Sequence, residues 1–301
     1  MFKWDPCGIL CVILIYTCIL YADYVVIVWM LFPTFGTTIW GIFHLTIFNV
    51  LLVITMSAHT RAMTTDPGIV PISSHRSNKL KAHGSSDEDS ESEDDHMIRH
   101  HMGTRGSTTE WTMCTRCESL RPPRAHHCRV CKRCVRKMDH HCPWVNNCVG
   151  EFNQKYFLQF ILYVGVTSMY ALGVLILCWV FHDSKGTTGV YGPYGENAHH
   201  AKVLHSIFLA MESTLFGMFV MAVSCDQLSA IFNDETAVEQ VQRRSRYGNS
   251  RRPRASRVAL MRQVCGPGPK LLWLLPCSFA SSKIKKKPRY IRSHQLAHYD
   301  V

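Results

Sequence analysis

The sequence predicts a polytopic α-helical membrane protein: four transmembrane helices, with a cytosolic zinc-stapled cysteine-rich domain between helices 2 and 3. Three observations carry that expectation. Of 301 residues, 47% are hydrophobic and only 18% are Asp, Glu, Lys or Arg, where a soluble domain carries nearer a quarter charged residues. The apolar residues gather in four long runs, with the charge between and after them. Seven of the fourteen cysteines fall between Cys114 and Cys148. Together these exclude an ordinary cytosolic enzyme, a fibrous protein and a wholly disordered chain.

A membrane span needs about 20 consecutive, mostly apolar residues. Cys7–Phe32 has Asp23 as its only formal charge, Ile39–Ala58 and Tyr156–Phe181 have none, and Val203–Cys225 has only Glu212. The first run exceeds the ~7–15-residue apolar region of a signal peptide and lacks a clear cleavage site, so it reads as a retained span. The expected organisation is a transmembrane hairpin over 1–58, a linker over 59–113, the cysteine-rich domain over 114–150, a second hairpin over 156–225 and a basic tail over 226–301.

Charge sets the orientation. The formal net charge is +11, and residues 233–301, with fifteen Lys and Arg against four Asp and Glu, account for all of it. The segment 59–155 holds another fifteen Lys and Arg, while the connector from His182 to Lys202 has two Lys and no Arg. Positive residues stay cytoplasmic, so the middle segment and both termini are expected in the cytosol. Disulfides rarely persist there, which leaves metal ligation or catalysis for the cysteine cluster.

Within the linker, Ser85–Asp95 reads SSDEDSESEDD. Such blocks of like charge are solvated and disordered, so the run reads first as a spacer. Ser90 and Ser92, set among acids, make a phosphorylated regulatory segment the livelier reading. His96, His100 and His101 follow with no cysteine nearby and read as solvated.

Cys114–Cys148 offers seven Cys and four His. Zinc takes four Cys or His ligands in a tetrahedron, often through C-x2-C pairs. Two sets of three Cys and one His share a spacing: Cys114, Cys117, His127 and Cys134, then Cys128, Cys131, His141 and Cys148. Both are C-x2-C, nine residues, His, six residues, Cys. Two structural Zn2+ would fold a segment too poor in apolar residues to fold by burial. His126, His140 and Cys142 are left over, with Asp139 beside them. Neighbouring side chains of an extended stretch point to opposite sides. An extended 139–142 would turn His141 to zinc and His140 and Cys142 together the other way. That gives a thiol, a base and a carboxylate to orient the base, the pattern of an activated nucleophile. In the competing assignment Cys142 is a ligand and Cys148 is spare.

The run Asp139-His140-His141-Cys142, inside this frame and followed by PWVNNCVG, resembles the signature of the DHHC-type protein S-palmitoyltransferases across Cys114–Gly150. Asp66-Pro67-Gly68 resembles the family's DPG motif. Thr236-Ala237-Val238-Glu239 resembles its TTxE motif, with Ala in place of the second Thr. The overall pattern is most similar to the Golgi-resident members. The resemblance implies an enzyme that transfers a fatty acyl group, palmitoyl above all, from acyl-CoA to cysteines of cytosolic-facing membrane proteins. Cys142 would carry the chain as a thioester, with His140 as base, Asp139 orienting it, and His127 and His141 as zinc ligands.

Elementary chemistry limits what each part supplies. A free thiol of pKa ~8.5 is a few per cent ionised at pH 7, so full ionisation gains only about 30-fold, near 2 kcal/mol. Positioning the chain must supply more. Tyr156 opens the third run fourteen positions after Cys142, which keeps the thiol near the membrane face. A palmitoyl chain could then enter a cavity among the helices, at ~0.8 kcal/mol per CH2 buried. Gly165, Thr167, Ser168 and Gly173 are expected as helix contacts, or else as cavity lining. Eight Lys and Arg against two acids lie between Cys114 and Cys148, leaving about +4 after two zinc sites of about −1 each. Arg121, Arg124, Arg129 and Lys132 are the candidates for acyl-CoA phosphates, unless that surface is only solvated or lipid-facing. Glu212, costly in lipid, is expected to bond inside the bundle.

In the tail, Arg243, Arg244, Arg246, Arg251, Arg252 and Arg254 read as a lipid-headgroup contact, and no nucleic acid is expected because stacking aromatics are missing. Leu271–Phe279 is too short to span and is expected in the interface, with Cys265 and Cys277 as acylation sites. Tyr299-Asp300-Val301 offers a carboxylate to a capturing domain. A second copy of the chain is admitted as a partner. The alternative function is a membrane-anchored, zinc-stapled adaptor without catalysis, for which Cys142 would be dispensable. A metal-ion transporter through Glu212 and the histidines ranks behind both.

Overall fold

The computed structural model describes residues 5–72, 111–184, 195–245 and 255–277. The acidic run, His96, His100, His101, Arg246, Arg251, Arg252, Arg254 and the Tyr299–Val301 terminus lie outside the described residues, as do the side chains of Arg243 and Arg244.

Among the described residues, four helices are long and apolar enough to cross a membrane: α1 (Pro6–Phe35), α2 (Ile39–Thr64), α3 (Gln154–Ser184) and α4 (Gly195–Phe232). All four match an expected run, and each extends past it. Pro6 opens α1, where a missing N–H costs nothing. Val25–Leu31 of α1 is wound as a π-helix and carries Val25, Val26 and Met30 into a fully buried cluster with Phe48 and Leu209. Gly36 turns the chain at φ 57°, and Thr38 caps α2 by accepting from the Gly41 amide. α2 runs six residues beyond the expected end at Ala58, and α4 seven beyond Cys225. Hydropathy marks where a helix leaves the apolar layer, not where its backbone stops helping itself to hydrogen bonds.

Among the described residues between α2 and α3 stand three small antiparallel hairpins: β1 (Thr112–Cys114) with β2 (Ser119–Arg121), β3 (His126–Cys128) with β4 (Arg133–Val135), and β5 (His140–Cys142) with β6 (Asn147–Val149). They are one device used three times at a spacing of fourteen residues. Each turns through a left-handed residue, Glu118 at φ 49°, Lys132 at φ 52° and Asn146 at φ 45°.

Polar ties fix this domain to the bundle. The last carbonyls of a helix lack intrahelical donors. Here Asn147 Nδ2 donates to the carbonyls of Ala62, Met63 and Thr65, and Asn153 Nδ2 to those of Ala62 and Cys148. Asp66 accepts from the amides of Gly68 and Ile69. Gly68, at φ +105°, then offers its carbonyl to the Arg136 amide. A Cβ on Gly150 would lie 2.5 Å from the Pro67 carbonyl, so this crossing needs glycine. After α4, Thr236 and Glu239 form a reciprocal capping box at the start of α5 (Ala237–Ser245). α6 (Arg257–Cys265) folds back onto α3 and α4. One apolar core therefore joins Cys142, Val145 and Val149 of the hairpin domain to Ile15, Ala58, Phe157, Ile161, Val220 and Leu260.

Candidate active site and metal centres

The hairpin repeat generates two metal-ligand sets. Each takes two cysteines from one hairpin and a directly paired His and Cys from the next: Cys114 and Cys117 with His127 and Cys134, then Cys128 and Cys131 with His141 and Cys148. In each set the ligand atoms lie within 4.8 Å of one another. Zinc at ~2.3 Å from sulfur implies tetrahedral edges of about 3.8 Å. Observed edges include 3.7 Å for Cys134–Cys117, 3.7 Å for Cys114–His127, 3.4 Å for Cys131–Cys148 and 3.6 Å for Cys148–His141. Hydrogen bonding to Cys128 and Cys131 drives the Cys148 thiol up, and bonds from Cys131 and Cys148 draw Cys128 down. Thiols this close cannot all ionise without a cation between them. The two sets fit two zinc sites, each with four protein ligands. Asp5, at the start of α1, lies 3.4 Å from Nε2 of His141, the outer partner that fixes a ligating imidazole.

The same repeat explains Cys142. It sits in the third hairpin where Cys114 and Cys128 sit in the first two. Its C-x2-C partner is missing, because position 145 is Val, and no fourth hairpin follows before α3. Cys148, not Cys142, stands with the second ligand set.

β5 is extended, so its side chains alternate. His141 faces Cys131 and Cys148, while His140 and Cys142 both line a cavity of about 300 Å³. The cavity runs into the bundle between Ile15, Ile19, Phe160, Val164, Phe216 and Val220, and reaches Phe48 and Ala171. Its wall is almost wholly apolar. Of the small residues on α3, Thr167 and Ser168 line it. A Cβ on Gly165 would touch Val220 on α4, making that position a helix contact, whereas Gly173 faces nothing within 4 Å. Glu212 also lines the cavity, as does Cys18 of α1.

Asp139 is 2% exposed, yet fully engaged. Its Oδ2 accepts from His140 Nδ1 at 2.8 Å and from Gln227 Nε2 at 2.8 Å, and its Oδ1 from the Ala237 amide at 2.7 Å. Burial would raise this carboxyl, but the bonds from His140, Ala237 and Gln227 hold it below the usual range. Burial likewise opposes charge on His140. Hydrogen bonds to Asp139 and then Cys142 outweigh it and raise the imidazole to about 9. The arrangement is a thiol against an imidazole that a buried carboxylate holds in place.

Two contributors escape sequence reasoning. Gln227 lies on the part of α4 beyond the expected span, and nothing in its neighbours marks it. Buried His59 on α2 binds the Trp144 carbonyl through Nε2 at 3.0 Å and the Tyr16 hydroxyl through Nδ1 at 3.2 Å, fixing the turn that follows Cys142. The Ala in the Thr236–Glu239 motif proves immaterial to the Asp139 contact, which uses the backbone amide of residue 237.

The basic candidates divide. Arg124 makes four hydrogen bonds, to both carboxylate oxygens of Glu239 and to Asp234 Oδ1 and O. Its fork is an internal tie between the hairpin domain and the start of α5, with its donors engaged by protein acceptors. Arg121 donates through Nε to Thr112. Arg129 and Lys132 are exposed.

Fold and site together define a class: a polytopic membrane protein that sets a thiol, beside an imidazole–carboxylate pair, at the mouth of a hydrocarbon-lined cavity. A family model described as DHHC palmitoyltransferase matches residues 107–244. The chain is 36% identical over 276 residues to Palmitoyltransferase ZDHHC7 of Mus musculus, covering 90% of this chain and 79% of that relative. It is 36% identical over 244 residues to Palmitoyltransferase ZDHHC3 of Homo sapiens, covering 80% and 73%. Probable protein S-acyltransferase 14 of Arabidopsis thaliana is 30% identical over 253 residues, covering 81% and 74%. The chain belongs to the DHHC palmitoyltransferase family.

Proposed function

We propose that this S-acyltransferase moves a fatty acyl group from acyl-CoA to cysteines of membrane-associated proteins through a thioester on Cys142. The observation that carries the reading is the placement of Cys142 and His140 together on the wall of the apolar cavity. In the first step the Cys142 sulfur attacks the acyl carbonyl and CoA leaves as a thiol. In the second, a substrate thiol attacks the Cys142 thioester and Cys142 recovers its proton. His140 carries that proton in each direction, and Asp139 fixes which ring nitrogen faces the thiol. Each step exchanges one thioester for another, so no nucleoside triphosphate is needed. The cavity walls hold the chain beside the sulfur, which supplies the positioning that thiol ionisation alone does not. The eight Cys and His ligands would hold two zinc ions that brace the hairpins.

Arg129 and Lys132 are the exposed cations nearest in sequence to the site and are assigned to the CoA phosphates, with Arg121 behind them. The bundle is placed with both termini in the cytosol, and the family likeness favours a Golgi or other endomembrane. Acceptors are cytosolic-facing cysteines at the membrane surface.

The test is acyl labelling in membranes with alkyne-tagged palmitate, comparing wild type with Cys142→Ser, both carrying Cys265→Ser and Cys277→Ser. Hydroxylamine-sensitive label is expected on wild type and absent from Cys142→Ser at equal zinc content. Equal label on both proteins would remove Cys142 from the mechanism and revive the adaptor.

A further inference from the structure

After α6 the chain turns through Gly266 and forms a single 3-10 turn, Lys270–Trp273, closed by a bond from the Trp273 indole to the Gly266 carbonyl. Residues 272–277 then lie against α3. Their carbonyls are taken up by three side chains of that helix. Lys155 Nζ donates to Leu272 and Cys277, Gln159 Nε2 donates to Trp273 and Leu275 at 2.7 and 2.9 Å, and Tyr163 Oη–H donates to Leu274. The three donors are spaced i, i+4, i+8, so they form one stripe along about 12 Å of helix.

Irregular backbone in water needs no such provision, because water solvates its carbonyls. Irregular backbone at membrane depth survives only where protein groups satisfy it. The side chains point the same way. Leu271 is 74% exposed, Leu274 58% and Leu275 42%, on a segment whose backbone is held to α3. Arg257, Arg262 and Lys270 are exposed around it, placed to reach lipid headgroups while their stems stay apolar.

We infer that Leu271–Leu275 is a wedge inserted into the acyl-chain region of the leaflet that faces the hairpin domain. It straps α6 against the candidate active site. Leu260 of α6 is 4% exposed and shares one core with Cys142, Phe157 and Ile231, so the wedge clamps from the lipid side a helix that packs behind the thiol. The partner is the bilayer itself.

The test uses the full chain with Cys142→Ser, so that no acyl group carried at the site can mimic a lipid adduct. A benzophenone amino acid replaces Leu271 or Leu274 in proteoliposomes of phosphatidylcholine and phosphatidylserine. Val166, 50% exposed on α3, is the lipid-facing control, and Val130, 45% exposed on the second hairpin, the aqueous one. Phospholipid adducts are expected at Leu271 and Leu274 as abundantly as at Val166, and none at Val130. Adduct yields at the Val130 level, or cross-links to a second copy of the protein instead of lipid, would overturn the wedge. Gln159→Leu tests the anchor. It should raise amide exchange across residues 260–275 and lower lipid adducts at Leu274, while zinc content and exchange in β5 and β6 stay unchanged. Unchanged protection of residues 260–275 would overturn the role of the α3 donors.

Discussion

Asp139 accepts from three donors that come from three separate stretches of chain: its neighbour His140, Gln227 on α4 and the amide that opens α5. That makes it the point where the bundle, the hairpins and the tail are held in register. Its effect on His140 has a definite sign. The imidazole is raised from 6.5 to about 9, so its contribution to stability is complete below 6.5 and is lost as pH rises through about 9. Asp139, held below its ordinary 3.8, contributes above that value and loses its contribution as pH falls further. Asp139→Asn weakens the hydrogen bond that is the largest single influence raising His140. The alkaline limb of the self-acylation rate should therefore move to lower pH, as read from a pH–rate profile. An unmoved limb would mean that another group titrates there. Ala237→Pro isolates the third donor. Proline is tolerated at the first helical position, so α5 should survive while one N–H is lost from a charged hydrogen bond. Such bonds are worth ~1.5–3 kcal/mol, and a fall of about tenfold to hundredfold in self-acylation rate is expected. Ala237→Thr should be neutral, because only the amide is used.

The hairpin is the unit at the next scale. The first hairpin contributes a knuckle, the third a paired His and Cys, and the middle hairpin both, so it serves the two ligand sets. Cys131→Ser should therefore lose the second zinc and weaken the first, with zinc content by elemental analysis falling below one per chain. A clean loss of one ion, with the other unaffected, would show that the hairpins fold independently. Chelation should loosen the hairpins that share the two ligand sets together, since metal binding supplies folding free energy to a segment poor in apolar residues, while the ties of Asn147, Asn153 and Arg124 to the bundle remain. The third hairpin spends its knuckle differently. Its cysteine has no C-x2-C partner and no further hairpin follows it before α3, and it shares a core with Phe157 and Val145.

At the scale of the whole molecule, the hairpin domain is not an appendage on a four-helix anchor. Asn147 and Asn153 end α2, the 66–68 turn pairs with Arg136, and Arg124 grips Glu239 and Asp234 after α4. Charge along the chain predicts an orientation with both termini in the cytosol. A glycosylation acceptor inserted in the connector between α3 and α4 should be modified, and the same insert in the tail should not. Modification of the tail insert would invert the bundle and separate the site from cytosolic acyl-CoA.

The four spans, the two ligand sets and the spare thiol were legible in the sequence, because each obeys a local rule: apolar run length, a fixed ligand spacing, alternation along an extended strand. The ends of α2 and α4 were not legible, since hydropathy stops at the edge of the apolar layer while helical hydrogen bonding continues. Arg124 looked like any other cation in a basic stretch until tertiary contact gave it two acids from over a hundred residues away. Gln227, His59 and the α3 stripe under the wedge were likewise invisible, as ordinary residue types whose partners are distant in sequence. Sequence by itself determined which chemistry the chain carries. Tertiary structure decided which groups hold that chemistry in place, because orientation in a buried site depends on donors and acceptors brought together from elements that no local pattern relates.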